Sequence, residues 1–149
     1  MTALAYFSGS HAVLDASVVA RIFLPDESSS AIDDFFHSSV IKYAPSVLHL
    51  EIMSLLVKAY RNRRINKDSA LAAFKDWNSF LKDGVMELTA QEDYSEHAFS
   101  LACELKHSFY DCCYLALAQS YNCPLITADK QLYERGITGY SNIILINES

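Results

Sequence analysis

A three-layer α/β/α sandwich around a short parallel sheet is predicted by three features of this chain. Short apolar runs alternate with longer amphipathic segments, a strand–helix–strand unit closes the C-terminal part, and acidic residues stand where strand candidates run out into turns. Strands are expected at 12–15, 41–44, 85–88, 124–127 and 142–146, each short and apolar, as strands covered on both faces should be. Helices are expected at 17–23, 29–38, 47–63, 67–82, 91–106, 109–121 and 130–135. Right-handed crossovers then place strand one centrally, with two and three on one side and four and five on the other, an order of 3-2-1-4-5.

Several element ends are marked chemically. Ser46 after Pro45 and Asn66 before Lys67 read as helix N-caps, while Thr89-x-x-Glu92 and Ser108-x-x-Asp111 read as capping boxes. Leu71, Phe74, Trp77 and Leu81 recur at helical spacing, and Gly84 and Gly136 are placed to close helices. There is no internal repeat, low-complexity tract or Gly/Ser linker. Residues 1–11 read as a loose extension and 12–149 as one domain, a size that buries one substantial core.

Composition narrows the class. The chain is 51% hydrophobic and 20% charged, which excludes a disordered segment and fits a globular protein. No apolar run approaches the ~20 residues that cross a bilayer, and the start has neither the basic region nor the apolar length of a secretory signal. Cys103, Cys112, Cys113 and Cys123 form no C-x-x-C pair and no zinc-like array, so reduced packing cysteines and a cytoplasmic location are expected. A net charge of −6 argues against a nucleic-acid binder taken alone. Yet Lys58, Arg61, Arg63, Arg64 and Lys67 bring five of twelve basic residues into ten positions. Cations favourably placed at a helix C-terminus and a phosphate- or partner-contacting patch explain this stretch equally well.

The chemistry rests on Asp15, Glu51, Asp111 and Asp129. Asp15 ends strand one and Asp129 follows strand four, so both flank the point where strand order reverses and open α/β sheets bind ligands. Each acid also has a plain structural account: Asp15 and Asp129 as N-caps, Asp111 as the third helical residue of a capping box. Glu51 is harder to dismiss, because it interrupts the apolar side of a long helix. Gathered carboxylates repel unless a cation joins them, and a set of hard oxygens suits Mg²⁺, with Mn²⁺ as the alternative. Such an ion supports phosphodiester hydrolysis. Competing schemes lack parts: there is no glycine-rich phosphate loop, no G-x-S-x-G elbow, and no second carboxylate two residues after Asp15. His11, His37 and His97 have no partners in spacing, His49 lies two residues before Glu51 on a different helical face, and His107 precedes a helix cap, so none is expected to be catalytic.

At these residues the sequence resembles the PIN-domain family, in particular the VapC-type toxins of prokaryotic toxin–antitoxin pairs. Val13-Leu14-Asp15-Ala16-Ser17 with Phe23-Leu24-Pro25-Asp26-Glu27 is similar to the opening motif, and Ala44-Pro45-Ser46 with Glu51 to the second. Tyr110-Asp111 with Tyr114-Leu115-Ala116-Leu117-Ala118, then Pro124-Leu125-Ile126-Thr127-Ala128-Asp129, are similar to the third and fourth. Cys112-Cys113 departs from the small residues common there and leaves the acids intact. The resemblance implies an Mg²⁺-dependent endoribonuclease with Asp15, Glu51, Asp111 and Asp129 as its acidic quartet and Ser17 and Thr127 at the edge. Asp15, Asp111 and Asp129 would hold the metal, with Glu51 completing the shell or orienting water. It also implies an RNA substrate, a cognate antitoxin whose C-terminal segment covers the site, and a homodimer. Two rivals stand beside this reading: a catalytically silent PIN-like module that binds nucleic acid or protein, and a phosphohydrolase of small substrates.

Overall fold

The protein is described by a computed structural model covering residue 4 and residues 7–24 and 29–146. Pro25, Asp26 and Glu27 of the opening motif lie outside the described residues, as do five residues of the 1–11 segment. Of that segment, Leu4 is buried and the Phe7 ring meets Phe35 edge-on at 5.6 Å.

Five parallel strands form one sheet in the order β3-β2-β1-β4-β5, as the crossover argument predicts. They are β1 (His11–Leu14), β2 (Ile41–Pro45), β3 (Glu87–Thr89), β4 (Leu125–Thr127) and β5 (Ile143–Leu145). Between them run α1 (Ala16–Phe23), α2 (Ser30–Phe36), α3 (Val47–Arg61), α4 (Lys67–Lys82), α5 (Ser95–Leu105), α6 (Phe109–Tyr121) and α7 (Lys130–Gly136). Val13 and Leu14 of β1 stand opposite Leu125 and Ile126 of β4, so the two strands end level and deliver Asp15 and the Thr127–Asp129 turn to one edge.

The strands and helices pack around a single core. Val13 and Leu14, with Leu115, Leu117, Leu125 and Ile126, are wholly enclosed, and α6 is buried along most of its length. Trp77 of α4 is also fully buried, and its indole N–H donates to His49 Nδ1 at 3.0 Å. That bond ties α4 to the first turn of α3, two residues before Glu51. A buried indole needs such an acceptor, which gives His49 a structural task.

Several helix ends differ from expectation. Asn66 caps α4 as predicted, with Ser69 N donating to its Oδ1 at 2.8 Å. Ser46 makes no cap; it sits in helical backbone geometry and its hydroxyl lies 3.2 Å from Tyr94 Oη. Thr89-x-x-Glu92 forms no capping box either. The segment opens as a 3-10 turn over Gln91–Asp93, and α5 starts only at Ser95, after Tyr94 turns its ring into the core. Four helices close with a residue of positive φ: Arg63 (59°), Gly84 (74°), Lys106 (52°) and Asn122 (50°). Three of these lack the glycine that marks such a reversal, and each is fixed by a backbone N–H reaching five residues back: Arg64 to Ala59, His107 to Ala102 and Cys123 to Ala118. Gly136 does not use its freedom of φ. A Cβ there would come within 2.7 Å of Ile143 Cδ1, the movable end of a side chain, so the helix end packs closely on β5. Cys112, Cys113 and Cys123 are buried as expected, whereas Cys103 is exposed; all four are unpaired thiols.

Candidate active site

Asp15 leaves β1 with extended backbone (ψ 173°) and caps α1 through Val18 N–H at 3.3 Å. Both of its oxygens also accept short hydroxyl bonds: Oδ1 from Ser17 Oγ and Oδ2 from Thr127 Oγ1, each at 2.5 Å. The hydroxyls are themselves held by the turn after β4. Ala128 N–H donates to Ser17 Oγ at 3.0 Å, and Asp129 N–H donates to Thr127 Oγ1 at 2.9 Å. Two backbone amides of one strand end thus feed two hydroxyls, which both feed one carboxylate on the neighbouring strand. The Thr127–Asp15 bond is buried and the others are partly so, and every bond has a defined direction.

Asp129 caps α7, with its Oδ1 accepting from Gln131 N at 2.9 Å and Leu132 N at 3.2 Å. Asp111 sits in the first turn of α6. Its N–H donates to Ser108 Oγ at 3.3 Å, the first half of the predicted capping box. The second half is missing: the Asp111 carboxylate turns to His107, with Nε2 2.9 Å from Oδ2. Glu51 projects from α3, and its Oε1 accepts from Tyr114 Oη at 2.6 Å. Among the described residues Asp129 Oδ2, Asp111 Oδ1 and Glu51 Oε2 accept no hydrogen bond.

All four acids line one open cleft of about 410 Å³, together with Ser17, Tyr114 and Lys58. Among the described residues no lysine or arginine forms an ion pair with any of them. Burial raises the Asp15 carboxyl from its ordinary 3.8 to about 6 against the lowering pull of Ser17, Thr127 and Val18, and the Asp111 charge adds to the rise. Glu51 is raised by burial and then by Asp111, with the Tyr114 hydroxyl opposing. Asp111 is raised chiefly by burial and further by Asp129, while His107 holds it down. Asp111 is therefore the residue whose charge reaches the most of its neighbours. Tyr114 is pushed far up by burial and by Glu51, so its hydroxyl stays a proton donor.

The donor set is hard oxygen throughout, which fits Mg²⁺ or Mn²⁺ and not a soft metal. Among the described residues no group of three acidic, histidine or cysteine side chains stands close enough to form a ready-made metal cage. An open arrangement still suits Mg²⁺, which rests on one or two carboxylates and keeps several waters.

Of the basic stretch, only Lys58 reaches this cleft; Arg61 joins Lys58 in an adjoining cleft of about 530 Å³ that shares Ser54. Arg63 and Arg64 form the turn after α3, and Lys67 begins α4 beside a separate apolar groove. Tyr114 and His107 are the contacts that motif reading passes over. Tyr114 has the helical spacing of a core residue, three positions after Asp111. His107 lies four residues before Asp111, a separation that joins side chains along a helix, but it precedes the helix itself.

This acidic cleft, at the carboxyl edge of a 3-2-1-4-5 parallel sheet, is matched by a known family. The PIN domain family model fits residues 12–137, and the chain belongs to that family. It is 28% identical over 125 residues to Ribonuclease VapC3 of Pyrobaculum aerophilum, a match spanning 83% of this chain and 92% of that protein. Its fold is also that of the crystal structure of PAE2754 from Pyrobaculum aerophilum, with a TM-score of 0.67 at 20% identity over 93% of this chain and 88% of the other.

Proposed function

We propose that the chain is a metal-dependent endoribonuclease that hydrolyses RNA phosphodiesters, the toxin of a VapBC-type toxin–antitoxin pair. The observation that carries this is the meeting of Asp15, Glu51, Asp111 and Asp129 in one cleft, where among the described residues no lysine or arginine forms an ion pair with them. Carboxylates so placed raise one another's pKa and favour a divalent cation. Family membership and the relative named Ribonuclease VapC3 support the same reaction.

Asp15, Asp111 and Asp129 are the residues that would hold Mg²⁺, or Mn²⁺ in its place. When bound, the ion supplies charge neutralisation at the scissile phosphate and a more acidic water. The residues do the rest. Ser17 and Thr127 fix both Asp15 oxygens, so this carboxylate reorganises little on binding. The Tyr114 hydroxyl stabilises Glu51 as a carboxylate and leaves Oε2 to orient or deprotonate the attacking water. Lys58, at the rim, answers the phosphate's charge in a chain of net charge −6.

A cognate antitoxin and a homodimer complete the reading. An apolar groove of about 390 Å³ between α3 and α4, lined by Met53, Val57, Tyr60, Leu71 and Phe74, supports a protein partner near the cleft. Among the described residues no helix is long and apolar enough to cross a membrane. A cytoplasmic location belongs to the same proposal.

Induced expression in a bacterial host tests it. The wild-type chain should arrest growth and fragment RNA, and Glu51→Gln should do neither while accumulating as folded protein. Growth arrest by Glu51→Gln equal to wild type would remove the quartet mechanism.

A further inference from the structure

We infer that His107, backed by Arg135, is a positioning residue that sets the orientation of Asp111 for the divalent cation; this rests on the metal-dependent reading above. The His107 imidazole precedes α6, its side chain is only 6% exposed, and its Nε2 is closed to solvent. The Asp111 Oδ2 atom lies 2.9 Å from that nitrogen. The distance suits a hydrogen bond, but the angle does not meet one, so Nε2 otherwise has no partner. A small rotation of the ring or the carboxylate would bring the two groups into line.

The other side of the ring decides which nitrogen carries the proton. Arg135 Nη1 lies 3.3 Å from His107 Nδ1. A guanidinium only donates, so Nδ1 must accept, and the ring's proton sits on Nε2, facing Asp111. Arg135 is itself anchored, donating from the same Nη1 to the Lys106 carbonyl at 2.8 Å. Lys106 holds a left-handed conformation (φ 52°) with no glycine to ease it. That reversal turns the Lys106 carbonyl toward Arg135 and, one residue on, brings His107 to Asp111. Backbone strain of this sort persists only where surrounding contacts hold it.

One helix thereby serves two acids. Asp129 caps the start of α7, and Arg135 in its last turn reaches back to His107. A shift of α7 would move Asp129 directly and Asp111 through the Arg135–His107 contacts. Oδ2 of Asp111 stands beside His107, while Oδ1 accepts no hydrogen bond among the described residues. Outer contacts that orient a metal-ligating side chain typically change metal affinity by about 10- to 100-fold when removed.

The test is Mn²⁺ binding to the RNA-free protein by calorimetry, beside thermal melts without metal. His107→Ala should weaken Mn²⁺ about tenfold or more. His107→Gln, whose amide N–H can replace the Nε2 donor, should recover affinity to within about threefold of wild type. Arg135→Ala should fall between them. Wild-type affinity in His107→Ala would overturn the inference, and so would equal weakening in the Ala and Gln variants, since the donor would then not matter. If His107→Ala fails to fold, Arg135→Ala decides, and unchanged Mn²⁺ affinity there overturns the inference. A wild-type protein that binds no Mn²⁺ would remove the metal reading together with this one, a result distinct from metal binding that the variants leave intact.

Discussion

Thr127 Oγ1 donates to Asp15 Oδ2 at 2.5 Å across the parallel β1–β4 pair, joining residues 112 positions apart at the place where strand order reverses. The strand register makes this possible, because Leu14 stands opposite Ile126 and the next residue on each chain is the acid and the hydroxyl. Ser17 repeats the arrangement on the other oxygen. A buried carboxylate is costly without partners, and here its partners are the strand ends that shape the cleft.

Thr127→Val keeps the shape and removes the donor. Asp15 Oδ2 and Asp129 N–H then each lose a partner in a buried site, so stability should fall by about 1–3 kcal/mol. Urea unfolding at pH 7.5 measures this. A loss no larger than that of an exposed Thr→Val control would show that the network does not hold the strand ends together.

The pH dependence follows from Asp15. Its carboxyl is held at about 6 in the fold against 3.8 in the open chain, so the folded state binds the extra proton between those values. Its contribution is full below about pH 4 and is lost as pH rises through about 6, on the order of 3 kcal/mol at 1.36 kcal/mol per pH unit. Glu51 and Asp111 are raised too and act with the same sign. Metal-free protein should therefore melt at a higher temperature at pH 5 than at pH 7.5, and Asp15→Asn should flatten that slope. A melting temperature that rises from pH 5 to 7.5 would contradict the placement of these acids.

Divalent cations should reverse this trend. Binding to the native cluster alone stabilises by about 2.7 kcal/mol when the ion is at a hundred times its Kd. Thermal melts at pH 7.5 with millimolar Mg²⁺ or Mn²⁺ should move upward for the wild-type chain and stay still for Asp111→Asn. Equal shifts in both would place the ion elsewhere.

Tyr114→Phe removes one hydroxyl from a fully buried ring and leaves Glu51 without its donor. Cleavage should drop about tenfold or more while the melting temperature changes little beyond the ~1 kcal/mol of a lost hydrogen bond. Unchanged cleavage would take Glu51 out of the reaction.

The cationic side of α3 separates substrate from partner contact. Lys58→Glu with Arg61→Glu should weaken binding of single-stranded RNA and flatten its dependence on salt. Both residues border the two adjoining clefts, and neither forms an ion pair among the described residues. Unchanged RNA affinity with lost dimerisation, read by filter binding and size exclusion, would assign this face to protein contact.

How far the sequence could be read depended on the physics behind each element. Strand order was legible because apolar runs and right-handed crossovers leave few alternatives, and it brought Asp15 and Asp129 to one edge; Glu51 and Asp111 sit on helices, and only the fold brings them to the same cleft. Caps were less legible. Ser46 and Thr89 have the right chemistry for helix starts, but tertiary partners, Tyr94 and Tyr121, draw their hydroxyls away. Three left-handed helix ends lie on Arg63, Lys106 and Asn122, where no glycine announces them. His107 shows the same limit: its link to Asp111 needs the chain reversal at Lys106, and its link to Arg135 needs α7 folded back beside it. The basic stretch reads as one patch in sequence, yet the end of α3 sends Lys58 and Arg61 toward the clefts and Lys67 to the apolar groove.

Cleavage of an end-labelled single-stranded RNA by purified protein tests the central claim most directly. Wild-type chain with millimolar Mg²⁺ should produce discrete internal cuts. EDTA should abolish them, and Asp15→Asn, Glu51→Gln, Asp111→Asn and Asp129→Asn should each lower the rate by at least about a hundredfold while remaining cooperatively folded. Equal cleavage in EDTA, or full activity in a folded Asp111→Asn protein, would contradict the account.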